Sequence, residues 1–146
     1  MNKTKVIISA CLLGEYCRYD GKTKQLSQVV EAFKEYEIIP FCPEAPLFGT
    51  PRQKINVMQV NGQKRIITDE TNEDVTRKLQ NEIEAFINRF PHAKTIVLKS
   101  KSPSCGLGTT PIFNERKEVI TLGDGLAATI LKKKFPHAKI VDELNF

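Results

Sequence analysis

Tryptophan is absent from the chain, aromatic residues make up only 8% of it, and histidine occurs twice. Each shortage removes a class of function. With few aromatic rings there is little for bases to stack on, so a single-stranded nucleic-acid platform is poorly supplied. His92 and His137 both fall in a repeated unit, Phe-Pro-His-Ala-Lys at 90–94 and 135–139. The repeat marks places where a helix ends and a strand begins, so both histidines are expected at the amino ends of strands, away from the cysteines. That denies the chain a Cys-His nucleophile pair or a mixed Cys/His zinc site. No Cys-x-x-Cys pair occurs, which excludes the ferredoxin runs. The segment Cys11-Leu12-Leu13-Gly14-Glu15-Tyr16-Cys17 lacks the dinucleotide fingerprint, so NAD or FAD is not expected. The amino-terminal apolar stretch soon meets Cys11 and Glu15, which is the wrong shape for a signal peptide or a membrane span. A cytoplasmic protein without a membrane partner is expected. In a reducing compartment four cysteines read as metal ligands, redox groups or small core hydrophobes rather than disulfides.

What is present suits one domain, 1–146, large enough to bury its own core without cross-links. The formal net charge is +5 and the isoelectric point about 9.0. The one basic run, Lys132-Lys133-Lys134, reads as a solvated helix end that opposes the macrodipole rather than as a DNA-binding patch. No DNA partner is expected, whereas a small anionic or heterocyclic substrate suits a mildly basic protein.

The two Phe-Pro-His-Ala-Lys units organise the chain. Before the first, Val75, Leu79, Ile83, Phe86, Ile87 and Phe90 recur at steps of three and four; before the second, Leu126, Ile130, Leu131 and Phe135 do the same. Proline stops each helix and an apolar run follows, at Thr95 to Lys99 and at Lys139 to Val141. A further helix, about Leu26 to Tyr36, feeds a run from Glu37 to Phe41, and the first run spans Lys5 to Ala10. Such alternation predicts an α/β fold: a single three-layer domain with a mostly parallel sheet of about four strands and helices on its faces. Between the second run and the next helix, Ile55 to Val60 alternates with period two, Asn61-Gly62 signals a type I′ turn, and Lys64 to Ile67 returns. This inserted β-hairpin is placed to cover the sheet's carboxyl edge or to pair with a second copy of the chain in a homodimer. Thr71, with Asp74 three residues on, approximates a capping arrangement at the next helix start.

Cys11, Cys42 and Cys105 each follow an apolar run. In a parallel sheet they converge on the carboxyl edge, where open α/β sheets bind ligands. Three thiolates meeting there make a soft metal or iron-sulfur site, although each cysteine taken singly is also an ordinary small core residue. Glu44, two residues past Cys42, is a candidate general acid or base. It is equally a carboxylate that caps a helix or pairs with Arg18 or Arg52. Ser102 and Ser104 are candidate hydrogen-bond donors to a substrate or to cluster sulfurs, and Asp20 precedes Gly21; all three also suit turns.

At these residues the chain resembles a bacterial domain-of-unknown-function family that includes the 2-thiouracil desulfurases. The matching segments run in order along the chain: Ser9-Ala10-Cys11-Leu12-Leu13-Gly14, Arg18-Tyr19-Asp20-Gly21, Cys42-Pro43-Glu44, Thr50-Pro51-Arg52, Asp74-Val75-Thr76 and Ser102-Pro103-Ser104-Cys105-Gly106. The resemblance implies a 4Fe-4S cluster held by Cys11, Cys42 and Cys105, with one iron free of protein ligands to take a thiocarbonyl sulfur. It further implies water activated by Glu44, a substrate oriented by Ser102 or Ser104 and Asp20, and sulfide release from a small thiolated heterocycle without net redox change. Two departures stand out. Cys17 lies where many relatives carry an apolar residue, and is either a fourth ligand that closes the cluster or a spare thiol. The loop Ala45-Pro46-Leu47-Phe48-Gly49 is also less glycine-rich than is usual in the family. The competing class is a non-catalytic iron-sulfur or zinc-binding module that senses metal or redox state.

Overall fold

Apolar runs that follow helices pair side by side in a computed structural model of the chain, which describes residues 4–14 and 27–146. In chain order the elements are β1 (Lys5–Ser9), a 3-10 turn (Ala10–Leu13), α1 (Ser27–Ala32), β2 (Glu37–Phe41), α2 (Ala45–Phe48), β3 (Ile55–Val60), β4 (Gln63–Thr68), α3 (Thr76–Arg89), β5 (Thr95–Leu98), β6 (Thr110–Phe113), β7 (Val119–Gly123), α4 (Leu126–Lys134) and β8 (Lys139–Asp142). Strands β2-β1-β5-β8 form a four-stranded sheet in that order, with every pair parallel.

Both faces of this sheet are covered, which is why its strands are continuous apolar runs rather than alternating ones. Ile7, Ile39, Phe41, Ile96 and Leu98 pack with Leu79, Ile83, Phe86 and Ile87 of α3 and with Ala127, Ala128 and Leu131 of α4. Val6, Ile8 and Val97 point the other way, against Val29 of α1 and the half-buried Phe33 and Tyr36. Both Phe-Pro-His-Ala-Lys units lie between a helix end and a strand start, and both histidines are exposed, at the edge away from Cys11, Cys42 and Cys105. The predicted α/β layering with four parallel strands is therefore present.

The hairpin is present too, but it is half of something larger. Strands β4-β3-β6-β7 form a second, mixed sheet. β3 and β4 pair antiparallel around Asn61 (φ 52°) and Gly62 (φ 77°), the two left-handed positions that a type I′ turn requires. β6 then pairs parallel with β3, and β7 closes the other side antiparallel. Sequence patterning missed β6 and β7 for two reasons. Pro111 reads as a strand breaker, yet it lies one residue before pairing with β3 begins at Ile112. β7 is exposed along most of its length and so shows no buried alternation.

Besides one-residue shifts at the ends of β4, β5 and β8, three boundaries differ from expectation. The first strand ends at Ser9 because Ala10–Leu13 wind into the 3-10 turn. The helix expected to reach Tyr36 stops at Ala32; Lys34 and Tyr36 donate to the carbonyls of Glu31 and Phe33, and this tighter winding delivers Glu37 to the Thr4 carbonyl at 2.9 Å, where β2 starts. Leu26 lies outside the described residues. Thr71 does not start a helix; α3 begins at Thr76, and the side chain beside it is Asp74, which accepts both the Thr76 backbone N–H (3.0 Å) and its hydroxyl (2.6 Å). The Thr76 hydroxyl oxygen accepts the Ile66 N–H at 2.8 Å, tying the helix start to β4. Among the described residues no helix is long and apolar enough to cross a membrane.

Leu131 is fully buried where α4 meets the sheet. Leu131→Ala is expected to cost about 2–5 kcal/mol, read as a lower urea midpoint at unchanged slope. Val119→Thr on the exposed β7 is expected to stay within about 0.5 kcal/mol of the parent in the same experiment.

Candidate functional site at the carboxyl edge

Cys11 lies in the turn that follows β1, Cys42 is the residue after β2, and Cys105 stands in the loop after β5. All three line one cavity of about 610 Å³. The edge predicted from three separate runs is thus a single hollow. The second sheet supplies the facing wall with Ile55 and Val57 of β3 and Thr110, Pro111 and Phe113 of β6, so the hairpin covers the edge.

The Cys105 loop is held from below by α4. The carbonyls of Pro103, Ser104 and Gly106 accept the N–H groups of Gly125, Leu126, Ala127 and Ala128, the donors a helix start would otherwise leave unpaired. The contact is too close for side chains: a Cβ on Gly125 would press into the Ser104 carbonyl, and one on Gly106 would overlap the Thr110 hydroxyl. Inside the loop the Ser102 hydroxyl oxygen accepts the N–H groups of Ser104 (3.2 Å) and Cys105 (3.1 Å), an arrangement that fixes the serine turn.

Burial pushes the Cys105 thiol well above its ordinary pKa, and the nearby Cys42 and Glu44 push it the same way, while hydrogen bonds from Ser9 and Ser102 oppose them without prevailing. Such a group ionises when a bound cation makes up the lost hydration. Among the described residues no three His, Cys, Asp or Glu side chains are placed to hold a single metal ion. Three thiols on the wall of one hollow instead have the donor chemistry of an iron-sulfur cluster, whose irons are spread apart so that each thiolate meets its own iron. The residues present fit such a group.

Glu44 is 8% exposed. One carboxylate oxygen accepts the Ser104 hydroxyl at 2.8 Å, and the other faces an Arg52 nitrogen at 3.4 Å. Its backbone carbonyl meanwhile accepts the Leu47 and Phe48 N–H groups at the start of α2. Of the partners the sequence offered, Arg52 is the one observed, and Arg18 lies outside the described residues. Ser102 is on the cavity wall; Ser104 is fully buried behind Glu44 and is not part of that wall. Cys17 and Asp20 also lie outside the described residues.

Sequence reasoning missed two groups. Ser9, 2% exposed, accepts the Lys99 N–H at 2.9 Å and bonds the Cys105 sulfur, so it ties β1 to the loop after β5. Glu143 accepts the Ser100 N–H (2.6 Å) and hydroxyl (2.9 Å) and pairs with Lys99 at 3.1 Å. The signal was the strand register: Leu98 of β5 stands beside Asp142 of β8, so the next residues of both strands meet at the same edge.

Burial alone would raise the Glu143 pKa, but the Ser100 N–H and hydroxyl and the Lys99 ammonium outweigh it and hold it below the ordinary carboxylate value. A depressed folded-state pKa gives stability that is present above the unfolded-state value near 4.3 and is lost as pH falls through the folded-state value. Glu143→Gln is therefore expected to flatten that part of the acid limb when unfolding free energy is measured from pH 7 downward.

The sheet and its thiol-lined edge define an α/β domain of the kind that binds ligands beyond its strand ends. A sequence profile describing 2-thiouracil desulfurase matches residues 6–143, and the chain belongs to that family. It is 31% identical over 154 residues to the uncharacterized protein YbbK of Bacillus subtilis (strain 168), covering 96% of this chain and 97% of that protein. Among solved structures it matches the 4Fe-4S-dependent thiouracil desulfidase TudS with a TM-score of 0.73 at 31% identity, over 97% of this chain and 91% of the other.

Proposed function

We propose that residues 1–146 act as one iron-sulfur desulfurase-like domain that hydrolyses the carbon–sulfur bond of a thiolated pyrimidine. The observation that carries this reading is the shared cavity of Cys11, Cys42 and Cys105 with the buried Glu44 on the same wall. Family membership and the likeness to TudS support it. Cys11, Cys42 and Cys105 would hold a 4Fe-4S cluster, which when bound supplies a Lewis-acidic iron with affinity for a soft thiocarbonyl sulfur.

The chain's own residues do the rest. Phe41, Ile55, Val57 and Phe113 give the cavity apolar surface suited to a flat ring. Glu44, held by Ser104 and Arg52, takes a proton from the water that adds to the ring carbon bearing sulfur. Ser102, its oxygen fixed by two backbone N–H groups, keeps its hydroxyl beside the Cys105 sulfur and the substrate. The family resemblance adds Asp20, which lies outside the described residues, as a group that would orient the ring. One water enters, a thiocarbonyl becomes a carbonyl, and hydrogen sulfide leaves, so electrons balance without a redox partner. The reducing cytoplasm is the compartment in which such thiolates persist.

The test is anaerobic reconstitution with iron and sulfide followed by addition of 2-thiouracil. Turnover to uracil and sulfide is expected. Glu44→Gln should lower kcat by about 10²–10⁴-fold with the visible cluster absorbance intact. A stable cluster with no turnover of any thiolated base identifies a sensing module instead, and a preparation that accepts zinc but rejects iron overturns the cofactor. Replacing Cys11, Cys42 or Cys105 by Ser should each reduce the iron retained after gel filtration, whereas Ser104→Ala should retain iron and lose rate.

A further inference from the structure

Ser9 closes β1 with its hydroxyl oxygen already engaged, because that oxygen accepts the Lys99 N–H at 2.9 Å. A serine hydroxyl has a single proton to give. Ser9 gives it to the Cys105 sulfur, which lies on the same cavity wall. Ser102 repeats the arrangement from the turn before Cys105: its oxygen accepts two backbone N–H groups, and its hydroxyl bonds the same sulfur. Two hydroxyls whose oxygens are held by the backbone therefore meet on one thiol. Cys105 is also the least exposed of the three cysteines on the wall, at 4% against 8% for Cys11, with Cys42 half-buried. Water reaches it least, so donors from the protein stand where water would otherwise bond the thiolate.

We infer that Ser9 is a positioning residue for the cluster: its O–H, oriented by the Lys99 N–H, donates to the Cys105 thiolate and draws off electron density that this ligand would otherwise give its iron. This rests on the iron-sulfur part of the reading above and needs no turnover. Hydrogen bonds to cluster sulfurs are among the levers that set a cluster's reduction potential, and partners behind a ligand also fix its orientation. A thiolate that gives less charge leaves the cluster easier to reduce and its irons stronger Lewis acids. The Lys99 N–H makes the donor directional. Without it the Ser9 proton could swing to another acceptor, so the tie between β1 and the loop after β5 and the bond to sulfur act as one unit.

The experiment is a redox titration of the reconstituted cluster, without substrate, in wild type, Ser9→Thr and Ser9→Val. Threonine keeps the hydroxyl and valine keeps threonine's shape without it. The Ser9→Val midpoint should fall by about tenfold in the reduction equilibrium, about 59 mV for one electron, while Ser9→Thr stays near wild type. A residue that merely ties the Lys99 backbone would give Ser9→Val a lower urea midpoint or less retained iron, with the loaded fraction titrating at the wild-type potential. That result overturns the inference. A second readout covers a Ser9→Val protein that holds no cluster: electron–nuclear double resonance of the reduced wild-type cluster, before and after exchange into D2O. Exchangeable protons coupled through a cysteine sulfur are expected, and should persist in Ser102→Ala, which leaves the Ser9 donor in place; their absence overturns the inference whether or not the Ser9 variants fold. A cluster whose potential follows the Ser9 hydroxyl in a protein that desulfurises nothing refutes the reaction and leaves the inference standing. An active enzyme whose potential ignores that hydroxyl does the reverse, and a chain that accepts zinc but no iron refutes both.

Discussion

The site depends on how α4 begins. A helix start presents N–H groups that need acceptors, and here those acceptors are the carbonyls of Pro103, Ser104 and Gly106. That contact settles where the loop after β5 can go, with Gly106 and Gly125 keeping the two backbones close enough to meet. Cys105 is carried to the cavity wall by it, and Ser104 is turned inward to Glu44. The same helix packs Ala127, Ala128 and Leu131 against the parallel sheet, so the thiol's position is fixed by the core itself.

Around that anchor the polar groups are arranged in pairs. Glu44 is buried between a hydroxyl and a guanidinium, and Glu143 between a serine and a lysine. Each carboxylate joins segments far apart in sequence: Glu44 connects the loop after β2 to the loop after β5, and Glu143 connects the loop after β5 to the end of β8. Buried charges endure only when they are paired and hydrogen-bonded, so these links hold the loops in one arrangement. The cavity is built from loops, but loops cross-braced in this way act as part of the scaffold.

Much of the fold was legible because its signals are local. The steps of three and four from Val75 to Phe90, the proline after each helix and the Asn61-Gly62 turn report on neighbours within a few residues, and each element lies near where it was expected. The gathering of Cys11, Cys42 and Cys105 also followed, since a parallel sheet sends the ends of its strands to one side. The second sheet did not follow. β6 pairs with a strand some fifty residues earlier, and β7 carries no buried face to give it a pattern. The role of Ser104 was obscure for a related reason: a serine beside a proline looks like a turn residue until the carboxylate it meets, sixty positions away, is known.

Sequence alone thus determined the alternation of helices and strands, the parallel pairing, and the family to which Cys11, Cys42, Glu44 and Cys105 point. These rest on periodicity and motif order, which are properties of a chain read along its length. Only the tertiary structure decided that Ser104 stands behind Glu44 and that Arg52 faces it from the other side. Those outcomes depend on which buried polar groups find each other when distant loops pack, and the pairing of buried charges is a property of the assembled interior.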